Sequence, residues 1–200
     1  MTTLRTLQKL ERKDLWSLEE YAQKREDFRR QVMQHKKART LHLGPNLTLL
    51  FEDRLTMQYQ VQEMLRTERI FEAAGIQEEL DAYNPLIPDG ANWKATLLIE
   101  FDDVEERKKA LAQLIGIEVR VWLQVAGHEP VQPIADEDLE RETAEKTSSV
   151  HFLRFELTPT MVESLKAGAA LDAGVDHVHY RHELKPVPDA LKKSLLADLA

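Results

Sequence analysis

Residues 94–101, KATLLIEF, form a short aliphatic run that is typical of a β-strand and far too short to span a membrane. Helical patterns precede this run, and further strand patterns follow it. Residues 117–127, IEVRVWLQVAG, alternate strictly between apolar and other residues and predict a second, half-buried strand. Residues 148–157, SSVHFLRFEL, predict a third. This order favours an α+β fold, with N-terminal helices followed by a small antiparallel or mixed sheet packed by helices.

The N-terminal part contains two long helical patterns. A capping-box pattern and apolar residues at helical spacing predict a helix over residues 18–38. A second helix is predicted from residue 53 onward, with Gly75 as its C-terminal stop. Between the two, leucines alternate on both sides of a Gly-Pro-Asn turn, which predicts a hairpin near 40–51.

Proline and glycine positions divide the chain into three parts. Residues 1–90 are expected to be mainly helical, residues 91–184 to form the α+β sheet part, and residues 185–200 to form a proline-broken C-terminal tail helix. Within the sheet part, the acidic stretch 135–146 predicts a helix or a helix-rich loop. We expect the three parts to form one compact domain.

The absence of cysteine excludes several kinds of site. Disulfides, thiolate zinc sites, cysteine-ligated iron–sulfur clusters and cysteine nucleophiles all need a side chain that this sequence does not contain. A divalent transition metal would have to be bound by His, Asp, Glu or backbone oxygen atoms. The sequence also lacks a membrane-spanning run and an apolar secretory signal, which predicts a cytoplasmic protein.

The charge is unevenly distributed along the chain. The formal net charge is -8, which argues against general nucleic-acid binding. The first 40 residues, however, hold eleven Lys and Arg against six Asp and Glu. The basic arm is expected to pack on the acidic body of this chain, of a second copy or of a protein partner. Nucleic-acid contact through the basic helix 18–39 remains an alternative.

Familiar catalytic motifs are missing from the sequence. It contains no phosphate-binding loop, no dinucleotide fingerprint, no nucleophile elbow and no H-E-x-x-H metal motif. Ser148, Ser149 and His151 are close in sequence, but that spacing on one strand does not give the geometry of a catalytic triad. The sequence therefore favours a non-enzymatic protein.

Residues 174–183, GVDHVHYRHE, are the candidate metal site. If residues 176–180 are extended, His177 and His179 lie on the same face of a strand, and His182 approaches them after a tight bend. Three imidazoles with a nearby carboxylate suit a divalent transition metal. The alternative interpretation is that these histidines pack or lie at the surface without binding a metal.

A polar stripe runs along the second helix and into the loop that follows it. These residues predict a groove for a ligand or partner: Tyr59, Gln62, Glu63, Arg66, Asp81 and Asn84. The alternative is a helix that packs on one face and is solvated on the other.

The run from LGPNLTLLFEDR to NWKATLLIE, followed by EKTSSVHFLRFELTP and AGVDH, resembles a bacterial domain-of-unknown-function family, number 3501. The resemblance covers about residues 12 to 184 and leaves the last sixteen residues outside it. It implies no catalytic residues. It implies a genomic context, because members are encoded near rubrerythrin-like proteins and iron–sulfur oxidoreductase subunits. The favoured hypothesis is thus an accessory or binding protein that serves a redox or oxidative-stress system.

Overall fold

The computed structural model describes residues 7–139, 141 and 143–200. In this part of the chain, six α-helices and two antiparallel sheets form an α+β fold, which confirms the predicted class. The helices are α1 (Leu18–Lys37), α2 (Arg54–Thr67), α3 (Ala73–Tyr83), α4 (Val104–Gln113), α5 (Pro159–Lys166) and α6 (Asp189–Leu196). The strands are β1 (Thr40–Leu43), β2 (Leu47–Glu52), β3 (Asn92–Ile99), β4 (Val121–Val125), β5 (Ile134–Ala135), β6 (Val150–Glu156), β7 (Leu171–His177) and β8 (Tyr180–Leu184). None of the described helices is long and apolar enough to cross a membrane.

The larger sheet has five strands in the order β1-β2-β3-β6-β5, with β3 at its centre. The predicted hairpin near 40–51 is confirmed as β1 and β2, and β2 pairs directly with β3. Successive side chains of β3 point alternately to the two faces of the sheet, as expected of a half-buried strand. Trp93, Ala95 and Leu97 enter the core, whereas Lys94 and Thr96 lie on the opposite, outer face of the sheet.

The smaller sheet has the order β4-β7-β8, and its inner face shares one hydrophobic core with the inner face of the larger sheet. Gly174 on β7 lies against the indole of Trp122 on β4. A Cβ atom at Gly174 would come within 2.3 Å of that ring. Glycine is therefore required here by the close approach of the ring.

The N-terminal helices pack against each other through aromatic side chains. Ser17 caps α1 and Glu20 reaches back to the Ser17 backbone, which confirms the predicted capping box. Tyr21 and Phe28 of α1 are buried together with Tyr59 of α2. Helix α1 is therefore fixed through the same residues that gave its predicted apolar stripe.

Three details of the predicted elements are wrong. Helix α2 ends at Thr67 and does not reach Gly75, which lies inside α3. Helix α2 ends in a Schellman-type motif, in which Arg69 has φ 56° and the Ile70 N–H donates to the Leu65 carbonyl. Arginine is uncommon at that left-handed position, so the end of α2 could not be predicted from the residue types.

The second correction concerns residues 117–120, which were expected to begin a strand. They form one turn of 3-10 helix after Gly116, which adopts a left-handed conformation, and β4 begins only at Val121. The stretch 135–146, expected to be helical, contains β5 and bends, and its described residues form no helix. Positions 140 and 142 of that stretch lie outside the described residues.

Candidate ligand-binding pocket

A cavity of about 420 Å³ lies on the outer face of the five-stranded sheet, between the end of α3 and the loop after β5. Its apolar wall is made of Tyr83, Pro85 and Leu86 on one side and Phe152 on the other. This volume falls within the range of roughly 300–1,000 Å³ that is typical of small-molecule sites. Charged side chains complete the wall: Asp81, Lys94, Glu137, Asp138, Arg141 and Arg154.

Arg154 of β6 is held by two carboxylates. Its Nε and Nη2 atoms donate to the two oxygens of Glu137 at 2.7 and 2.6 Å, and Nη1 donates to Glu156. The hydrogen bonds from Arg154 hold the pKa of Glu137 below its usual range. This guanidinium is therefore already matched by negative charge.

The Arg141 guanidinium also forms ion pairs with two carboxylates. It donates to Asp136 at 3.1 Å and to Asp138, and its guanidinium lies 4.5 Å from the ring centroid of Phe152. Stacking a cation on an aromatic face in this way is favourable and fixes both groups. The loop after β5 is thus attached to β6 by its own arginine.

Asp136 connects this loop to the buried side of the sheet. It adopts a positive φ of 50°, and its Oδ1 accepts a hydrogen bond from the Phe152 backbone N–H at 2.9 Å. Its Oδ2 lies 2.6 Å from Nδ1 of His151, whose Nε2 lies 2.9 Å from the Thr147 hydroxyl. One carboxylate therefore holds both the loop and the buried histidine.

The Asp136–His151–Thr147 chain has the connectivity of a catalytic triad. His151 is 0% exposed and Thr147 only 2%, so the hydroxyl cannot meet a substrate in this conformation. His151 also faces the core, opposite to Phe152, which lines the pocket. The chain therefore fastens the segment between β5 and β6, and Ser148 and Ser149 do not join it as nucleophiles through their side chains.

Lys94 is the one charged group of the pocket wall that makes no hydrogen bond or ion pair with the described residues, although the Glu137 and Asp89 carboxylates are near enough to raise its pKa. Its side chain is half-buried, and Lys94 lies opposite Glu52 on β2 and Arg154 on β6 in the strand register. Partial desolvation lowers the pKa of Lys94, and the nearby charge of Arg154 lowers it further. Sequence reasoning missed Lys94, although its place on the outer face of the run 94–101 was readable from the alternation.

The residues of the predicted polar groove mostly bind other parts of the same chain. Tyr59 and Gln62 are buried, and Gln62 exchanges hydrogen bonds with the Trp16 backbone. Glu63 accepts hydrogen bonds from Tyr21 and Arg25 at 2.6–2.7 Å, and Arg66 lies 3.9 Å from it. Tyr59, Gln62 and Glu63 therefore attach the N-terminal segment and α1 to α2, whereas Arg66 pairs with Glu63 of its own helix.

The other two residues of that set lie near the pocket. The Asn84 side chain pairs with the backbone of Leu10 through both its oxygen and its nitrogen, which ties down the N-terminal segment. Asp81 accepts a hydrogen bond from Gln77 and lines the pocket. Of the six predicted groove residues, Asp81 alone is part of this cavity.

The histidine stretch is a hairpin and not one continuous strand. Strand β7 ends at His177 and β8 begins at Tyr180, so His179 lies in the turn. His177 is buried: its Nε2 lies 3.1 Å from the Ile115 carbonyl and its Nδ1 accepts from the His179 N–H. Both ring nitrogens are thus hydrogen-bonded, which leaves neither lone pair free for a metal.

His182 lies apart, where its ring contacts Tyr180 at a centroid distance of 4.7 Å and touches Gly44. Tyr180 in turn donates to the Leu43 carbonyl and accepts from the Asn46 N–H, which joins the hairpin to the β1–β2 turn. Among the described residues, no group of three or more His, Asp or Glu side chains is placed to bind a metal ion. The contacts favour packing roles for these histidines.

Basic side chains of helix α1 form ion pairs with acidic residues of the same helix and of α2. Arg25 is engaged by Glu63, and Arg30 lies within 4.0 Å of Glu26 and Asp27. These ion pairs reduce the positive charge that the helix can present to phosphates.

Comparisons with known proteins place the chain in a family. The family profile DUF3501, described as a protein of unknown function, matches residues 9–199. The chain belongs to this family. The match includes the C-terminal tail, which the sequence resemblance had left outside. Among solved structures, a crystal structure of a novel protein of unknown function from Burkholderia pseudomallei is 52% identical, covers 96% of this chain and 100% of its own, and has a TM-score of 0.91. No curated protein matches the chain.

Proposed function

We propose that this DUF3501 protein is a non-catalytic binding protein that takes a small molecule in the pocket under the end of α3. The observation that carries the proposal is the pocket itself, in which an apolar wall on two sides meets a few convergent charged groups. This composition is typical of ligand sites in proteins.

The wall favours binding over catalysis. Its described residues include no Ser, Thr or His, which are the usual nucleophiles and proton carriers in a chain without cysteine. The arginines are engaged by carboxylates, and the Thr147 and His151 side chains are buried on the other side of the sheet. The pocket can therefore orient a ligand, but it brings no serine, threonine or histidine side chain to it.

An accessory role in a redox or oxidative-stress system remains a prediction that rests on the genomic context implied by the family resemblance. A small-molecule pocket is compatible with such a role, because a binding protein can deliver a metabolite to other proteins or signal its presence to them. The pocket supports only the binding step.

The test uses a neutral fluorescent probe and two matched substitutions on α3. Ala82 lines the pocket, whereas Ala74 is exposed on the same helix about 12 Å away along its axis. N-phenyl-1-naphthylamine should bind the wild type and Ala74→Trp saturably, one probe per chain. Ala82→Trp, which fills the cavity, should weaken binding by about tenfold or more. Equal binding by the two variants, or no saturable binding by the wild type, would refute the proposal.

A further inference from the structure

The two arginines of the pocket wall form ion pairs with carboxylates, whereas its lysine does not. Arg154 is matched by Glu137 and Glu156, and Arg141 is matched by Asp136 and Asp138. Each guanidinium already has two carboxylates. Because these carboxylates already balance the charge of both arginines, an incoming anion gains less from either guanidinium than from an unpaired cation.

Lys94 has no such partner. Its cross-strand neighbour Glu52 is buried and accepts a hydrogen bond from Thr96, and burial raises the pKa of Glu52, which favours its neutral form. The other cross-strand neighbour is Arg154, a like charge. Like charges directly opposite each other on a sheet are unfavourable, so this position costs stability unless another group compensates.

We infer that the pocket binds an organic monoacid, a single carboxylate on an apolar body, with the carboxylate paired to the Lys94 ammonium group. This inference rests on the proposed binding function and names the class of ligand. The carboxylate supplies the hydrogen bonds that Lys94 lacks, since the nearest acidic group, Glu137, is already hydrogen-bonded to Arg154, and the apolar body lies between Leu86 and Phe152.

The other charges of the wall limit the ligand to one negative charge. Asp81, Glu137 and Asp138 all line the same cavity, and they would repel a second negative charge on the ligand. A phosphate monoester carries nearly two negative charges at neutral pH. It is therefore expected to bind more weakly than a carboxylic acid with the same body.

The experiment displaces N-phenyl-1-naphthylamine with two compounds of almost the same shape, 4-phenylbutyrate and its neutral amide. The acid should displace the probe from the wild type at a concentration about tenfold lower than the amide, because a hydrogen bond to a charged group is stronger than one to a neutral group. In Lys94→Gln the acid should lose this preference, while the amide should bind as before. Lys108→Gln is the control, since Lys108 is exposed on α4 and pairs with Glu105.

The outcomes separate the ligand class from the binding function. If the acid and the amide displace the probe equally from the wild type, the inference is wrong, but the probe result and the binding function stand. If the acid keeps its preference in Lys94→Gln, the inference is also wrong, because another group then holds the anion. Displacement by phenyl phosphate at lower concentration than by 4-phenylbutyrate would likewise overturn it.

A second measurement shows whether Lys94→Gln is folded. Because Lys94 is partly desolvated and faces a like charge, its replacement should leave the melting temperature of the free protein unchanged or raise it. Adding 4-phenylbutyrate should raise the melting temperature of the wild type more than that of Lys94→Gln. A large drop in melting temperature for the free variant would show that Lys94 is held by contacts within the fold and would contradict the inference.

Discussion

Arg39 is the largest charged side chain in the interior, and its replacement by methionine tests how the C-terminal segment is attached. Arg39 is 1% exposed and donates to the backbone carbonyls of Phe51 and Glu52 at 2.9 and 3.1 Å. It also donates to both carboxylate oxygens of Asp198, at 3.4 and 2.5 Å. Two further hydrogen bonds go to the backbone oxygen and the hydroxyl of Ser194, so six hydrogen bonds join the end of the chain to β2 through one guanidinium.

The expected loss of folding stability for Arg39→Met comes from the buried Asp198 carboxylate, which the substitution leaves without its ion-pair partner. Asp198 is 4% exposed, and without Arg39 it becomes a buried carboxylate with no strong cation beside it. Removing one partner of a buried ion pair costs about 3–5 kcal/mol. For a domain of this size, 1 kcal/mol corresponds to roughly 2–4 °C, so the melting temperature should fall by about 6–20 °C.

The loss should depend on pH. Burial raises the pKa of Asp198 to about 6, against the pull of Arg39 in the other direction. The folded state thus binds this proton more tightly than the unfolded state, and the stability from protonation is present below about pH 4 and lost as the pH rises through 6. Arg39→Met removes the cation that lowers this pKa, so the pKa of Asp198 should rise further, and neutralising the carboxyl costs less free energy at pH 5 than at pH 8. The variant should therefore be less destabilised at pH 5.

The assay is urea unfolding at pH 5 and pH 8 of the wild type, Arg39→Met, Asp198→Asn and the double variant. The amide of Asp198→Asn carries no charge, so the double variant should be less destabilised than the sum of the single variants. It should also lose most of the difference between the two pH values. A loss below about 1 kcal/mol for Arg39→Met, or an equal loss at both pH values, would refute this reasoning.

Further predictions concern three other features. Asp136→Ala removes the carboxylate that binds both His151 and the Phe152 backbone N–H of β6, and it should cost about 2–4 kcal/mol in urea unfolding. A loss under about 0.5 kcal/mol would contradict the connecting role. Gly174→Ala places a Cβ against Trp122 and should cost about 1–3 kcal/mol, together with a changed tryptophan fluorescence spectrum. Because both ring nitrogens of His177 are hydrogen-bonded, elemental analysis of untagged protein after metal reconstitution should find under about a tenth of a metal ion per chain, and one bound ion per chain would restore the metal hypothesis. Nucleic-acid binding by α1 should be absent even at low salt, and salt-sensitive binding would show otherwise.

Local signals predicted the elements whose shape depends on nearby residues. The capping box of Ser17 and Glu20 located the start of α1, and the aliphatic run 94–101 located β3. In both places the residues that form the element also supply its hydrogen bonds or its buried face. The end of α2 could not be predicted, because it depends on Arg69 taking a left-handed conformation that its type does not favour.

The pocket could not be assembled from the sequence, because its wall comes from separate elements. Asp81 and Leu86 lie near the end of α3, Lys94 on β3, and Arg141 and Phe152 about 50 residues further along the chain. No spacing rule brings these together before the order of the strands is known. The polar stripe of α2 was predicted as a groove because its residues are close in sequence. In the structure they contact α1 and the N-terminal segment instead.

The most direct test of the binding account is a crystal structure of the protein with 4-(4-bromophenyl)butyrate, in which anomalous scattering locates the bromine atom. The account predicts one bromine peak between Leu86 and Phe152 and a carboxylate within hydrogen-bond distance of Lys94 Nζ. A bromine peak elsewhere on the molecule, or a carboxylate turned away from Lys94 into solvent, would contradict it.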